Sequence, residues 1–89
     1  MPKIIGFILV KSFEKSYTKQ AKEVKDAFRE RRNLLLIDSL HPILNNHPLH
    51  GKWKGYRSIN ITGDIRAIYK MEGFIAVFYV IDSHNHLYK

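Results

Sequence analysis

The chain predicts an α+β fold, and three observations carry that prediction. A β-branched apolar run stands near the N-terminus. A long stretch with helical spacing of its apolar residues follows. Short alternating or apolar runs separated by glycine-bearing turns complete the chain. Helices first and strands last is the order of an antiparallel sheet with helices on one face, not of repeated strand–helix units.

Lys3 to Val10 is apolar and β-branched-rich and reads as a buried strand. Ser12 is placed to cap the helix after it. Phe13 and Tyr17 share one helical face, and Ala21, Val24, Phe28 and Leu35 continue it. Lys22, Lys25, Asp26, Arg29 and Arg32 lie outside that stripe. The pattern predicts helix up to about Leu40, as one helix or as a hairpin of two, because no Gly or Pro marks a break. Leu34 to Ile37 is apolar all round, which predicts a helix end buried on several sides.

Pro42 and Pro48 stop regular structure, so His41 to Gly55 reads as loop. Tyr56 to Thr62 alternates as a strand, with Arg57, Ile59 and Ile61 on one side and Tyr56, Ser58 and Asn60 on the other. Gly63-Asp64 is a turn, Ile65 to Lys70 the next strand, and Glu72-Gly73 a second turn. Phe74 to Ile81 is a continuous apolar run and reads as a central strand. The predicted architecture is β-α(α)-β-β-β: an N-terminal strand, one or two helices, then an antiparallel three-strand meander that the first strand joins. No repeat, low-complexity segment or linker interrupts it, so residues 1–89 read as a single domain.

A domain of this size buries only about 60–65% of its extended-chain surface, so its core is thin. Fifteen Lys and Arg against eight Asp and Glu give a formal charge of +7. Such an excess points to a polyanionic partner, nucleic acid first, and otherwise to a basic surface kept for solubility. The basic residues gather around aromatic and histidine residues, which favours the polyanion. Cysteine is absent, which excludes disulfides and thiolate metal sites. The opening MPKIIGFILVK lacks the length and cleavage site of a signal peptide and is too short to span a bilayer, so a cytoplasmic location is expected. A basic helix can also bind membrane surfaces, but Glu14, Glu23, Asp26 and Glu30 interrupt this one.

The chemistry concentrates in His47 to Lys70, HPLHGKWKGYRSINITGDIRAIYK, and in the tail His84-Asn85-His86-Leu87-Tyr88. Cutting RNA without a metal needs a base for the 2′-hydroxyl, an acid for the leaving 5′-oxygen, and cations for the phosphate. Histidine suits the first two roles because it titrates near neutrality, and Arg and Lys suit the third. The chain offers His41, His47, His50, His84 and His86, with Lys52, Lys54, Arg57 and Arg66 as cations. Trp53, Tyr56, Tyr69 and Tyr88 can stack on unpaired bases.

Plainer readings stand beside these. His41 precedes a proline and reads as a helix C-terminal cap or surface residue. His84 and His86 alternate, so in an extended tail they point to one side, as polar trim. Asp64 is favoured in a turn by geometry alone. Arg66 lies inside an apolar strand, where a charge requires a partner or a ligand. His47-x-x-His50 and His84-x-His86 can furnish four imidazoles to a metal, yet no H-E-x-x-H helix is present and one pair sits in a proline loop, so no metal and no other cofactor is expected. Neither a glycine-rich phosphate loop nor a serine nucleophile elbow occurs.

The motifs Leu-x-Gly-x-Trp-Lys-Gly-Tyr-Arg from Leu49, Gly-Asp-x-Arg-x-Ile-Tyr from Gly63, and the tail Asp82-Ser83-His84-x-x-Leu87-Tyr88 resemble the RelE/ParE superfamily of bacterial toxin–antitoxin toxins. The chain is most similar to the YafQ-like branch of RelE-type mRNA interferases, sharply over Asn46 to Tyr88 and in pattern before that. The resemblance implies a RelE-like toxin domain with two N-terminal helices on a twisted, mostly antiparallel sheet. It implies endoribonuclease cleavage of mRNA, usually in the ribosomal A site, through 2′-hydroxyl attack without a metal. It also implies a cognate antitoxin, and operator DNA contacted only through that antitoxin. Position by position, His47, Asp64 and His84 fall on the branch's active-site histidine, aspartate and C-terminal histidine. Arg66 matches a phosphate-binding strand arginine, Arg57 a basic position, and Tyr88 is similar to a site tyrosine of some members. His84 is then the general acid, His47 or Asp64 the base or its orienting partner, and Arg66, Arg57, Lys52 and Lys54 hold phosphates. The branch has a second histidine where this chain has Asn60, and a tryptophan where it has Ile65; His50 or His86 is the available replacement for the missing imidazole. Two alternatives remain open: a ParE-like gyrase poison, and a basic RNA-binding module that does not cleave.

Overall fold

A computed structural model describes residues 3–88. Its sheet has five strands in the order β1-β5-β4-β3-β2. Strands β3 (Arg57–Thr62), β4 (Ile65–Glu72) and β5 (Ile75–Ser83) form the antiparallel meander, and β1 (Gly6–Leu9) joins β5 in parallel. The α+β architecture predicted from the sequence is therefore the one observed. The meander turns through Gly63 and Gly73, whose φ angles of 53° and 60° lie where a side chain is strained.

The helical stretch is a pair, α1 (Lys11–Thr18) and α2 (Lys22–Ile37). What divides it is a tertiary contact. Beyond the end of β1, the edge of β5 has no strand partner. Ser12 and Ser16, four apart on one face of α1, and Gln20 just beyond its end supply it. The Ser12 hydroxyl donates to the Tyr79 carbonyl at 2.8 Å, the Ile81 N–H donates to Ser16 Oγ at 3.0 Å, and Gln20 Nε2 donates to the Ile81 carbonyl at 3.3 Å. Ser12 is thus a strand-edge partner and not a cap; the N-cap of α1 is Val10. Helix α2 stops at Ile37 rather than Leu40, and Ile37 is 82% exposed, so the apolar run there is buried on the Leu35 side only.

Two further elements correct the sequence reading. His47–Pro48 forms a short edge strand, β2, which pairs antiparallel with β3 in the register His47↔Ser58 and Pro48↔Arg57. Proline is tolerated there because an edge strand need not donate every N–H. Residues His84–Leu87 form a single helical turn, α3, capped by the Ser83 hydroxyl, which accepts from the His86 N–H at 3.3 Å. His84 and His86 therefore diverge, because residues two apart on a helix do not face each other.

The sheet separates two apolar clusters. On the helix side, Phe13, Phe28, Leu35, Ile59, Ile61, Tyr69 and Phe78 are buried together. On the other side, the C-terminal turn and the segment after β2 cover Ile68 with Leu49 and Leu87, flanked by Trp53, Tyr56 and Tyr88. The Trp53 indole N–H donates to the Leu87 carbonyl at 3.1 Å and pins α3 to the sheet. At the β2 edge, Asn46 Oδ1 accepts from both the Tyr69 phenol and Arg57 Nε at 2.9 Å, and its Nδ2 donates to the Ser39 carbonyl at 2.9 Å. Burial pushes the Tyr69 phenol above 10.0, and the Asn46 hydrogen bond and the Arg57 charge work against that rise.

Candidate active site

The face of the sheet away from the helices carries a cleft of about 370 Å³, lined by Asn45, His47, Pro48, Leu49, His50, Ser58, Arg66, His84 and Tyr88. Five segments build it. Strand β2 brings His47, the segment after it His50, strands β3 and β4 bring Ser58 and Arg66, and α3 brings His84. Cross-strand pairing explains the convergence: His47 faces Ser58, and Asn60 faces Arg66, all on the side opposite the aromatic core.

Three of the groups in the cleft have definite contacts: His47, Arg66 and His84. His47 Nδ1 lies 2.7 Å from the Asn45 carbonyl oxygen. A carbonyl only accepts, so Nδ1 carries the proton, and in the neutral ring Nε2 keeps its lone pair. Asn45 can aim that carbonyl because it adopts a left-handed conformation, φ 45°, which asparagine tolerates. Arg66 donates through Nη1 to the Gly63 carbonyl at 3.0 Å and the Ile65 carbonyl at 3.3 Å. These bonds tether one end of the guanidinium to the β3–β4 turn. The His84 ring is exposed and its centroid lies 4.6 Å from that of Tyr88. Its backbone N–H donates to the Asp64 carbonyl at 2.8 Å.

Of the residues singled out in the sequence, His47, His84, Arg66, His50 and Tyr88 line the cleft together. Asp64 touches this arrangement through its main chain, while its side chain lies exposed in the turn. Arg57 projects to the other face, where Asn46 engages it. His86 turns away to Asp82, Nδ1 to Oδ1 at 3.1 Å. Lys52 and Lys54 are exposed on the turn after His50, with Lys52 Nζ 6.0 Å from the Trp53 ring centroid. His41 accepts from the Ile43 N–H at 3.1 Å and so caps the 3-10 turn after it, rather than the helix before it. Among the described residues no three His, Cys, Asp or Glu groups gather as a metal site, and no helix is long and apolar enough to cross a membrane.

Asn45 and Ser58 are polar cleft residues that sequence reasoning missed, and Ser58 is the one sealed from solvent. It is fully buried and its hydroxyl has no hydrogen-bond partner among the described residues. Its signal was faint: a serine on the non-core side of an alternating strand. An unpaired buried hydroxyl is destabilising, so Ser58→Ala is expected to raise stability by about 1 kcal/mol in urea unfolding. A loss of stability would show that the hydroxyl has a partner in solution.

Two helices on one face of the sheet and a cleft on the other make up the fold of RelE-type toxins, which this chain shares. Within that class the chain belongs to the YafQ family, bacterial toxins of type II toxin–antitoxin systems, whose pattern matches residues 8–89. The mRNA interferase toxin YafQ of Escherichia coli K12 is 30% identical over 81% of this chain and 87% of its own length. In fold, YafQ from E. coli strain BL21(DE3) superimposes with a TM-score of 0.79, at 24% identity, over 93% of this chain and 97% of that one. The chain also matches the E. coli DinJ–YafQ toxin–antitoxin complex, with a TM-score of 0.75 and 25% identity over 93% of this chain and 96% of that one.

Proposed function

We propose that this toxin is an endoribonuclease that cuts mRNA on the ribosome and that a cognate antitoxin holds it inactive. One observation carries the reading: three imidazoles, those of His47, His50 and His84, and the Arg66 guanidinium line one cleft. His47 Nε2 takes the proton of a 2′-hydroxyl, whose oxygen attacks the adjacent phosphorus. His84, entering protonated, gives its proton to the 5′-oxygen as the P–O5′ bond breaks. A 2′,3′-cyclic phosphate and a 5′-hydroxyl result, with no metal needed for proton bookkeeping. Arg66 offsets the charge that grows on the phosphate. Tyr88 and His50 bound the base and ribose, and Lys52 and Lys54 attract the RNA backbone from outside the cleft. Asp64 acts through its carbonyl, which orients the turn bearing His84.

The printed name of the E. coli relative, mRNA interferase toxin, supports this reading, as does the formal charge of +7. The DinJ–YafQ complex of the related toxin supports a cognate antitoxin for this one. Cleavage on the ribosome implies a cytoplasmic toxin, with operator DNA reached only through the antitoxin.

Primer extension on a reporter mRNA after brief expression tests the reading. New 5′ ends at codon-phased positions are expected. Growth arrest without new ends, together with inhibited supercoiling by purified gyrase, would replace it with a gyrase-poison function. Arg66→Gln is expected to slow cleavage about 10²–10³-fold, the cost of removing one donor to a developing oxyanion, with the melting temperature little changed. Cleavage at the wild-type rate would remove Arg66 from the phosphate.

A further inference from the structure

We propose that Asn46 is a positioning residue for His47, a role that rests on the reading of His47 as the base. Strand β2 is only two residues long; two pairs with β3 align it, and the Leu49 N–H, donating to the Tyr56 carbonyl at 2.9 Å, anchors its C-terminal side, which leaves the Asn45–Asn46 side to be held otherwise. So short an edge strand frays unless something else holds it. Asn46 supplies that hold from the other face of the sheet. Its carbonyl oxygen receives two donors, Arg57 Nε and the Tyr69 phenol, each at 2.9 Å, and its amide nitrogen donates to the Ser39 carbonyl at 2.9 Å. The orientation of the amide is therefore unambiguous, because a flipped group would set its NH₂ against two donors. Its main-chain carbonyl takes a further bond from Arg57 Nη2 at 3.4 Å.

These contacts reach the chemistry through one residue on each side. Tyr69 is fully buried in the aromatic core, so Asn46 is referenced to the most rigid part of the molecule. Asn45, next in the chain, holds the left-handed backbone whose carbonyl fixes the His47 tautomer. His47, on the other side, turns its ring into the cleft. Fixing the Asn46 backbone thus fixes both the Asn45 acceptor and the His47 ring. Loss of the Asn46 amide frees that acceptor and lets the imidazole populate its other tautomer, in which Nε2 carries the proton and cannot accept one. Arg57, read from the sequence as a phosphate ligand, serves this clamp.

The test compares wild type, Asn46→Ala, Asn46→Asp and Tyr69→Phe by nitrogen-15 NMR of the His47 ring and by ribosome-dependent cleavage of mRNA. Wild type is expected to show the Nδ1–H tautomer alone. Asn46→Ala is expected to show both tautomers, and kcat falls about 10- to 100-fold at unchanged KM. Asn46→Asp keeps the acceptor oxygen for Arg57 and Tyr69 and is expected to restore the single tautomer. Tyr69→Phe keeps the core ring, removes one donor, and is expected to give a smaller change of the same kind. A folded Asn46→Ala with the wild-type tautomer overturns the inference; if that variant does not fold, an unchanged tautomer in Tyr69→Phe overturns it. Absence of cleavage by wild type counts against the nuclease reading instead, since the tautomer readout needs no RNA.

Discussion

Replacing His84 with alanine is expected to reduce mRNA cleavage about 10²–10⁴-fold, the usual contribution of a general acid, and to abolish growth arrest. The variant isolates chemistry because the ring does little for the fold. It is exposed, and among the described residues its ring contact is with Tyr88. The backbone bond from residue 84 to the Asp64 carbonyl, and the Ser83 cap of α3, involve no atom of the imidazole. Leu87 and the Trp53–Leu87 hydrogen bond still seat the turn. Stability is therefore expected to stay within about 0.5 kcal/mol of wild type. Single-turnover cleavage on programmed ribosomes, beside calorimetric binding of the antitoxin, measures both sides. Undiminished cleavage would remove His84 from the reaction. Lost cleavage together with lost antitoxin binding and a lowered melting temperature would mark it as structural.

The largest stability effect is expected at Phe78. Its ring is fully buried in β5 and meets three others: Phe28 at 5.2 Å, Tyr69 at 5.3 Å and Phe13 at 5.7 Å between centroids. Through them it joins both helices to the middle of the sheet. Phe78→Ala leaves a cavity that surrounding rings of fixed shape cannot fill, at a cost of about 3–5 kcal/mol. A thin-cored domain holds on the order of 5–15 kcal/mol in all, so the variant is expected to be largely unfolded at 37 °C. Urea unfolding at lower temperature should show the midpoint falling with the slope unchanged. A loss below about 1 kcal/mol would mean that the helices repack onto the sheet, and that the aromatic cluster is not what holds them.

Much of this molecule is legible in the order of its residues. The alternation of Tyr56 to Thr62 already sorted β3 into two faces, and the structure keeps Ile59 and Ile61 in the core with Ser58 facing the cleft. The same alternation groups Arg57 with Ile59 and Ile61, and in the structure it meets Asn46 and not the cleft, contrary to the phosphate role expected from the resemblance. The glycine turns, the apolar β5 and the helical stripe through Phe13 and Phe28 were equally plain, because periodicity and turn chemistry are local properties. Motif resemblance supplied the family and its candidate histidines.

What local pattern could not supply were the features made by distant partners. The break between α1 and α2 comes from Ser12, Ser16 and Gln20 bonding to the unpaired edge of β5, more than sixty residues away along the chain. Strand β2 exists because β3 lies beside it, and its two residues carry no periodicity of their own. The divergence of His84 from His86 follows from a capped turn seated by Trp53 and Leu87. Asn46 gains its importance from Tyr69 and Arg57, which no spacing links to it. Local pattern and motif were enough for β1, the helical stretch, the three-strand meander, the family and the residues with suitable chemistry. Only the tertiary structure decided which of those residues share a cleft, because strand register and edge pairing are settled by contacts between segments far apart in the chain.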